Sequence, residues 1–429
     1  MLLRFSVSNF TSLRDIQELS LVAGSLSDEP GALIEVEGLP HKLLRVAAIY
    51  GPNASGKTNV IFGLKFMRSA VKYSHNKWEP GAEIDRHAFA LDDSEEKPSE
   101  FAVDILLQGV RYEYGFSMNS TRVLSEYLFA YPDNRRQRWF ERSADNERII
   151  FGKNFSGENR AIENLTRPNS LFLSSAAQNN HEKLLPIYNW FAKELSFRSG
   201  LGARSSPTRT IELCLKSETN KKTVLRLLGA ADLGIVDMDI EVEAPDPKLK
   251  EFAEKFQALM REFATEPSTP PPTFEELARK AVAFRHKSRG ESAIAIPLEY
   301  ESAGTLTYLA ILGPAIEALG SGGVLIIDEL DASLHPLLVT EIVKIFNRAD
   351  YNPQGAQLIF TTHNTELLGA DVLRRDEIWF TEKDDTGATK LYPLSDFKPR
   401  KEENLQRGYL QGRYGATPFI KASALLELQ

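Results

Sequence analysis

Apolar and polar residues alternate from Leu2 to Val7, a period of two that predicts a strand. Leu43 to Tyr50 is a nearly continuous apolar run, as expected of a strand buried on both faces. A glycine-rich turn follows, and Thr58 to Lys72 then carries helical spacing through Ile61, Leu64 and Val71. Between about Phe101 and Phe151 the period returns to two. Phe101, Val103, Ile105 and Leu107 face one way, Gly109 turns the chain, and Val110, Tyr112, Tyr114 and Phe116 come back. This predicts an antiparallel hairpin, with Leu124 to Tyr131 and Arg138 to Glu141 extending the sheet.

The middle of the chain reads as mainly helical. Met238, Ile240 and Val242 alternate with acids and predict one half-exposed strand. Lys248 to Ala264 places Phe252, Phe256, Leu259 and Phe263 on one helical stripe, which the run Glu266 to Pro272 must end. Phe274, Leu277, Ala281 and Phe284 form a second stripe, so a helical hairpin with a proline-rich tip is expected, each arm about 25 Å long. Parallel α/β patterning then returns. Val324 to Ile327, Leu358 to Thr362 and Ile378 to Thr381 read as buried strands, and Leu337 to Arg348 as a helix between the first two. Beyond Phe397 the chain is polar and basic, with an apolar end.

A net charge of −8 argues against a surface that is basic throughout but leaves room for local basic patches. Three clusters could meet nucleic acid: Arg135, Arg136 and Arg138; Arg285, His286, Lys287 and Arg289; and Lys398, Arg400 and Lys401. Each also reads as a solvated face. The one cysteine, Cys214, reads as a small buried apolar residue. No apolar run approaches the roughly 20 residues that span a bilayer, and no leader pattern opens the chain, so a cytoplasmic protein with no membrane partner is expected.

Chemistry concentrates at Gly51-Pro52-Asn53-Ala54-Ser55-Gly56-Lys57-Thr58, a complete phosphate-binding loop between a buried strand and a helix. Its glycines let backbone amides turn towards phosphates at a helix N-terminus. Lys57 can reach the β- and γ-phosphates of ATP, and the Thr58 hydroxyl can coordinate Mg2+. The strand Val324 to Ile327 ends in Asp328 and Glu329, two carboxylates that need cationic company. Asp328 suits magnesium, directly or through water, and Glu329 suits the polarising of an attacking water. Ser302 and Gly304, in Glu301-Ser-Ala-Gly-Thr305, open a helix over Leu306 to Ala318, where Ser302 is a good cap with room for a phosphate. His363 follows a buried strand, at the sheet edge where such folds bind ligands.

In that order these four elements resemble an ATP-binding-cassette ATPase. Ser302-Ala303-Gly304 stands where that family has its signature, Asp331-Ala-Ser-Leu-His335 is similar to the loop that crosses the dimer interface, and His363 resembles the switch histidine. The resemblance implies an α/β fold: a P-loop ATPase with a parallel core sheet, an antiparallel β lobe and a helical insertion. It also implies ATP and Mg2+, a catalytic set of Glu329, His363 and Lys57, and a homodimer or higher homo-oligomer that sandwiches nucleotide between Lys57 of one copy and Ser302 of the other. The signature departs from the transporter pattern, which points away from transport. The opening Phe5-x-Val-x-Asn9-Phe10-x-Ser12 and the long gap from Lys57 to Asp328 resemble the RecF and chromosome-maintenance branch. Leu171 to Gln178, Ala230 to Ile235 and Tyr409 to Pro418 resemble bacterial phage-defence ATPases of the abortive-infection, overcoming-lysogenisation-defect and PARIS kinds. For the family's γ-phosphate-sensing glutamine, Gln178 is a candidate because it follows an apolar run, and Gln108 and Gln137 lie in the same half.

Three regions are expected: 1–183, an ATPase lobe with the phosphate loop and antiparallel sheet; 184–292, a helical insertion; and 293–429, a second ATPase lobe. The expected function is an ATP-hydrolysing sensor of an anti-phage system that controls a separate effector protein, a nuclease, since no second acidic metal cluster is visible. The alternatives are a RecF-like repair ATPase acting on DNA directly and a scaffold that holds ATP without turnover; an intact Glu329 weighs against the scaffold.

Overall fold

Val46–Tyr50 (β3) is buried at all five positions, as a strand must be when both of its faces are covered. A computed structural model of the chain describes residues 1–418 apart from 27, 29–32, 147, 199–205, 244–254, 256–278, 289–292 and 370. β3 pairs in parallel with Gln357–Thr361 (β14) on one side and Ile378–Lys383 (β15) on the other. From β14 the sheet continues in parallel through Val324–Ile327 (β13) to Leu195–Arg198 (β9), while Thr389–Pro393 (β16) runs antiparallel beyond β15. The order is β16-β15-β3-β14-β13-β9. Because β3, β9, β13 and β14 run the same way, their carboxyl ends reach one edge.

The helix α1 (Lys57–Tyr73) buries Val60, Leu64, Met67 and Val71, spaced three and four apart. These pack in one cluster with Ala47, Ile49, Val324, Ile326 and Ile359 of the sheet. Each such side chain contributes about 1.5–3 kcal/mol by leaving water. Pro336–Asn347, named α8 in chain order, packs against β3 and β14.

A second, antiparallel sheet shares that core. Its order is β2-β1-β4-β5-β6-β7-β8, from Gln17–Ser20, Leu2–Ser8, Ser99–Leu107, Val110–Met118, Val123–Tyr131, Gln137–Ser143 and Ile150–Phe151. Phe5, Val7, Phe101, Val103, Tyr114, Phe116 and Phe140 bury one face, as the period of two predicts. The turn between β4 and β5 needs left-handed backbone at both Gln108 (φ 51) and Gly109 (φ 78), which joins the strands in the tight form. Three short helices follow: α2 (Asn159–Leu165), α3 (Phe172–Gln178) and α4 (Leu185–Asn189). The fully buried Glu126 on β6 joins α3 to the sheet. Its carboxylate accepts from the Phe172 amide (2.6 Å), the Leu173 amide (3.0 Å) and the Tyr114 hydroxyl (3.0 Å), with Arg142 at 3.7 Å.

Met1–Leu201 with Pro314–Gln429 form one compact unit and Gly202–Gly313 another. The second unit has α5 (Thr208–Lys216), α6 (Glu218–Ala230) and a three-stranded antiparallel sheet of β10 (Ile235–Glu243), β11 (Arg279–His286) and β12 (Ile294–Pro297). The strand predicted around Met238 is therefore present. The helical stripe predicted to end at Ala281 and Phe284 is corrected: both lie on β11, where Val282 and Phe284, two apart, are the buried pair. Phe252, Phe256, Leu259, Phe263, Phe274 and Leu277 lie outside the described residues.

The helix α7 (Ala303–Ser321) corrects another expectation, for it is long and apolar enough to cross a membrane, with a mean hydropathy of 1.2. However, 61% of its most apolar stretch is buried inside the fold, which marks a core helix. The polar stretch after Phe397 is likewise built into the protein. From α9 (Leu405–Leu410) and the turn after it, Tyr409 and Tyr414 stack on Phe380 with centroids 5.4 and 6.0 Å away, and Tyr409 meets Tyr50 at the end of β3.

Just before β15, the buried Glu377 accepts from the Arg374 amide (2.9 Å) and the Asn347 side chain (3.1 Å). Burial, with Asp376 adding to it, pushes its carboxyl up to about 8. From the ordinary carboxylate range up to about 8 the folded chain thus holds a proton that the unfolded chain releases, so this group's stabilisation fades as pH rises through that window. Glu377→Gln should flatten that dependence. Urea midpoints of the two proteins, compared at about pH 5 and about pH 8, check it; equal slopes for both remove Glu377 as the cause.

Candidate active site

The phosphate loop leaves β3 at Tyr50 and enters α1 at Lys57. Gly56 sits at φ 102 and Ala54 at φ 62, the left-handed backbone that turns successive amides inward. A side chain at Gly51 would collide with the Thr381 backbone on β15, so only glycine lets the loop lie this close to the sheet. Ser55 and Thr381 share a hydroxyl hydrogen bond of 2.7 Å, and the Thr389 hydroxyl donates to the Ser55 carbonyl at 2.8 Å. Ser12 meets Thr389 at 2.7 Å and accepts from Asn59 at 2.6 Å, tying the turn after β1 to the start of α1.

The Lys57 ammonium donates to the carbonyls of Gly51 (2.8 Å) and Pro52 (3.1 Å). Burial lowers its pKa from the ordinary lysine value, while Asp328, Glu329 and Asp331 oppose that shift. Beside it, Thr58 donates to Asp328 at 3.2 Å. Asp328 is 8% exposed, and the same oxygen accepts from the Thr361 hydroxyl at 2.7 Å. That hydroxyl in turn accepts from the Glu329 amide at 2.7 Å. Glu329 is exposed and stands at φ 56, a sparsely populated conformation for a non-glycine residue and one that clusters at functional sites.

Asp331 accepts from the His363 amide at 3.1 and 3.3 Å, which joins the loop after β13 to the end of β14. Burial, then the charge of Lys57, holds the His363 imidazole below its ordinary pKa, against Asp331 and Glu329. The Asp331 to His335 loop closes on itself, with Ala332 bonded to the Glu329 carbonyl and His335 accepting from the Leu337 amide at the start of α8. Lys57, Thr58, Asp328, Glu329, Asp331 and His363 are thereby linked at one sheet edge.

Ser302 and Gly304 belong to the other compact unit. The exposed Ser302 caps α7, its hydroxyl accepting from the Thr305 amide at 3.1 Å. The preceding Glu301 is held by His286 of β11 at 2.7 Å.

None of the three candidate glutamines is tied to this edge. Gln178 ends α3 and donates to Tyr188 at 3.4 Å, which bonds the Lys72 carbonyl at the far end of α1, about 22 Å along the helix from Lys57. Gln108 occupies the β4–β5 turn, and Gln137 opens β7 with a bond to Asn154. Thr361, Thr381, Thr389 and Asn59 also support the site and carry no motif of their own in the sequence. The available signal was polar residues at the ends of apolar strands, as in Phe360-Thr361-Thr362 and Phe380-Thr381.

Fold and site together define an α/β protein of the phosphate-loop nucleotide-binding class. Residues 46–369, more than half of the chain, match the family described as "AAA domain, putative AbiEii toxin, Type IV TA system", and the chain belongs to that family. No curated protein matches the sequence. Among solved structures, the SMC head bound to the C-winged helix domain of ScpA is similar at 13% identity and a TM-score of 0.41, over 92% of this chain and 99% of that one. CbiO1 from Clostridium perfringens, part of the ABC transporter complex cbiONQ, is similar at 12% identity and a TM-score of 0.28, over 96% of each chain.

Thr361→Val would keep the side-chain shape while leaving both the Asp328 carboxylate and the Glu329 amide without this partner. It should cost about 1–3 kcal/mol of stability, and Thr361→Ser should recover most of that. Denaturant titration of the three proteins tests this; an unchanged Thr361→Val protein would show that water serves both groups equally well.

Proposed function

We propose that this protein is an ATPase whose complete site forms only between two copies. The observation that carries this is the hydrogen-bond chain from Thr58 through Asp328 and Thr361 to Glu329, set beside Lys57. The donors suit magnesium, since Thr58 and Asp328 offer a hydroxyl and a carboxylate 3.2 Å apart, both hard oxygen ligands. Bound there, the ion neutralises charge on the β- and γ-phosphates. The amides of Asn53 to Thr58 cradle the phosphates, and Lys57 adds its positive charge. Glu329 orients the attacking water, and His363, held by Asp331, faces the γ-phosphate. Ser302 and Gly304 of a second copy complete the site, a role supported by the exposure of Ser302 at the start of a 19-residue helix.

The cellular reading is a cytoplasmic sensor in an anti-phage defence system. Closing two copies around ATP changes the surface shown to a separate effector protein, a nuclease. Membership in a family whose description speaks of a toxin and a type IV TA system supports this. Capture of the chain co-expressed with its neighbouring genes tests it, comparing wild type with Lys57→Ala and Glu329→Gln. An effector should co-purify in a nucleotide-dependent way. If none does and the chain alone reproduces the cellular phenotype, direct action on DNA takes its place.

Three variants separate the steps. Glu329→Gln should retain ATP binding, lose on the order of hundredfold or more in turnover, and accumulate the ATP-bound dimer. Ser302→Arg should bind ATP through Lys57 yet neither dimerise nor hydrolyse, whereas Lys57→Ala should lose binding itself. Nucleotide titration, phosphate release and light scattering read the three outcomes. Wild-type hydrolysis by a monomeric Ser302→Arg protein would rule out the shared site.

A further inference from the structure

On the antiparallel lobe, a cavity of about 200 Å³ opens between the β5–β6 turn, the end of β7 and α2. Arg122, Arg142 and Arg148 line it, with Ser143, Asn146 and Glu163. We infer that this cavity is a second phosphate-binding site, which takes a phosphate group through these three guanidinium groups.

The Arg142 guanidinium is itself held, while contacts of the adjoining backbone fix where Arg122 and Arg148 leave the chain. Arg122 ends a turn in which the Asn119 side chain accepts from its amide at 2.9 Å. Arg142 donates to the carbonyls of Ser170 (2.6 Å), Arg167 (3.2 Å) and Pro168 (3.3 Å). Arg148 precedes Ile149, whose amide donates to Glu163 at 2.6 Å and whose carbonyl accepts from Arg160 at 2.9 Å. Glu163, the carboxylate in the wall, is already matched: one oxygen takes the Ile149 amide and the other takes Arg160 at 2.6 Å. Among the described residues, neither Arg122 nor Arg148 has a carboxylate partner.

Arg142 is offset by the buried Glu126 at 3.7 Å, so among the described residues Arg122 and Arg148 are the two cations of the wall left without a carboxylate, in a chain whose net charge is −8. Burial lowers the Arg142 pKa from its ordinary value; the Glu126 carboxylate opposes that shift and the nearby charge of Arg122 adds to it, so the two cations sense one another. An anion relieves that repulsion. Planar forks with several N–H donors suit the tetrahedral oxygens of phosphate better than a single carboxylate. The hydroxyl of Ser143 and the amide of Asn146 add neutral donors to the rim.

The phosphate could come from a nucleic-acid backbone or from a free phosphorylated ligand, and the test distinguishes them. Inorganic pyrophosphate and a labelled 20-nucleotide oligothymidylate are titrated separately into full-length Lys57→Ala protein, so that the phosphate loop does not mask the result. Arg122→Glu, Arg148→Glu and the double variant are then made in that background. Both side chains belong to exposed residues, so the fold should survive, which circular dichroism checks. Should charge reversal unfold the chain, Arg122→Gln with Arg148→Gln serves instead. Binding of either probe should weaken by about tenfold per arginine. Dependence with pyrophosphate names a free ligand. Dependence with the oligonucleotide, with a salt slope shallower by about one to two in the double variant, names a nucleic acid. Failure of both probes to bind, or binding indifferent to the arginines, overturns the site.

Discussion

The Thr361 hydroxyl donates to the Asp328 carboxylate and accepts from the Glu329 amide, and the candidate site is arranged around this one group. Asp328 is nearly enclosed, and an enclosed carboxylate needs donors. Thr58 brings one from the start of α1 and Thr361 the other from the end of β14. The same bridge holds Glu329 in a backbone form it would otherwise avoid. Three segments far apart in sequence thus depend on one another's side chains, and the strain at Glu329 is sustained by the buried strands beneath it.

The support for this edge extends well behind it. The α1 core also receives Phe5, Phe101, Phe116 and Phe140 from the antiparallel sheet, so the phosphate loop, its helix and that lobe share one packed interior. Interiors packed at crystal-like density transmit displacement rather than absorb it. On the opposite side, Tyr409 and Tyr414 press on Phe380, and Tyr409 also meets Tyr50, the residue before Gly51. Glu377 and Asn347 join α8 to the start of β15, the strand that carries Thr381 to the loop.

Local features were legible in the sequence. The phosphate loop is eight consecutive residues, the Asp328–Glu329 pair follows its strand directly, and the β4–β5 hairpin shows its period and its turn. What escaped depends on partners distant in sequence. Thr381 matters because it meets Ser55, and nothing near either residue announces the other. The four-residue strand β9 is too short for a period, yet it sets the sheet's last position beside β13. Arg279–His286 carries residues that fit a helical spacing, and the pairing with β10 decides for a strand. Gln178 follows an apolar run that is a helix rather than a strand, so it ends beside the tail of α1 instead of at the sheet edge.

The position of β3 has a consequence for synthesis. Both of its neighbours, β14 and β15, are translated roughly 300 residues after it. While the chain emerges from the ribosome, Val46–Tyr50 is an apolar strand with neither of its native partners yet made. At about 5–20 residues per second the wait lasts tens of seconds. The antiparallel lobe, whose strand pairs are mostly close in sequence, can form meanwhile and lend its apolar face to α1. Within the first third of the nascent chain, β3 is then the segment that waits for the last third, and the one on which a chaperone would act.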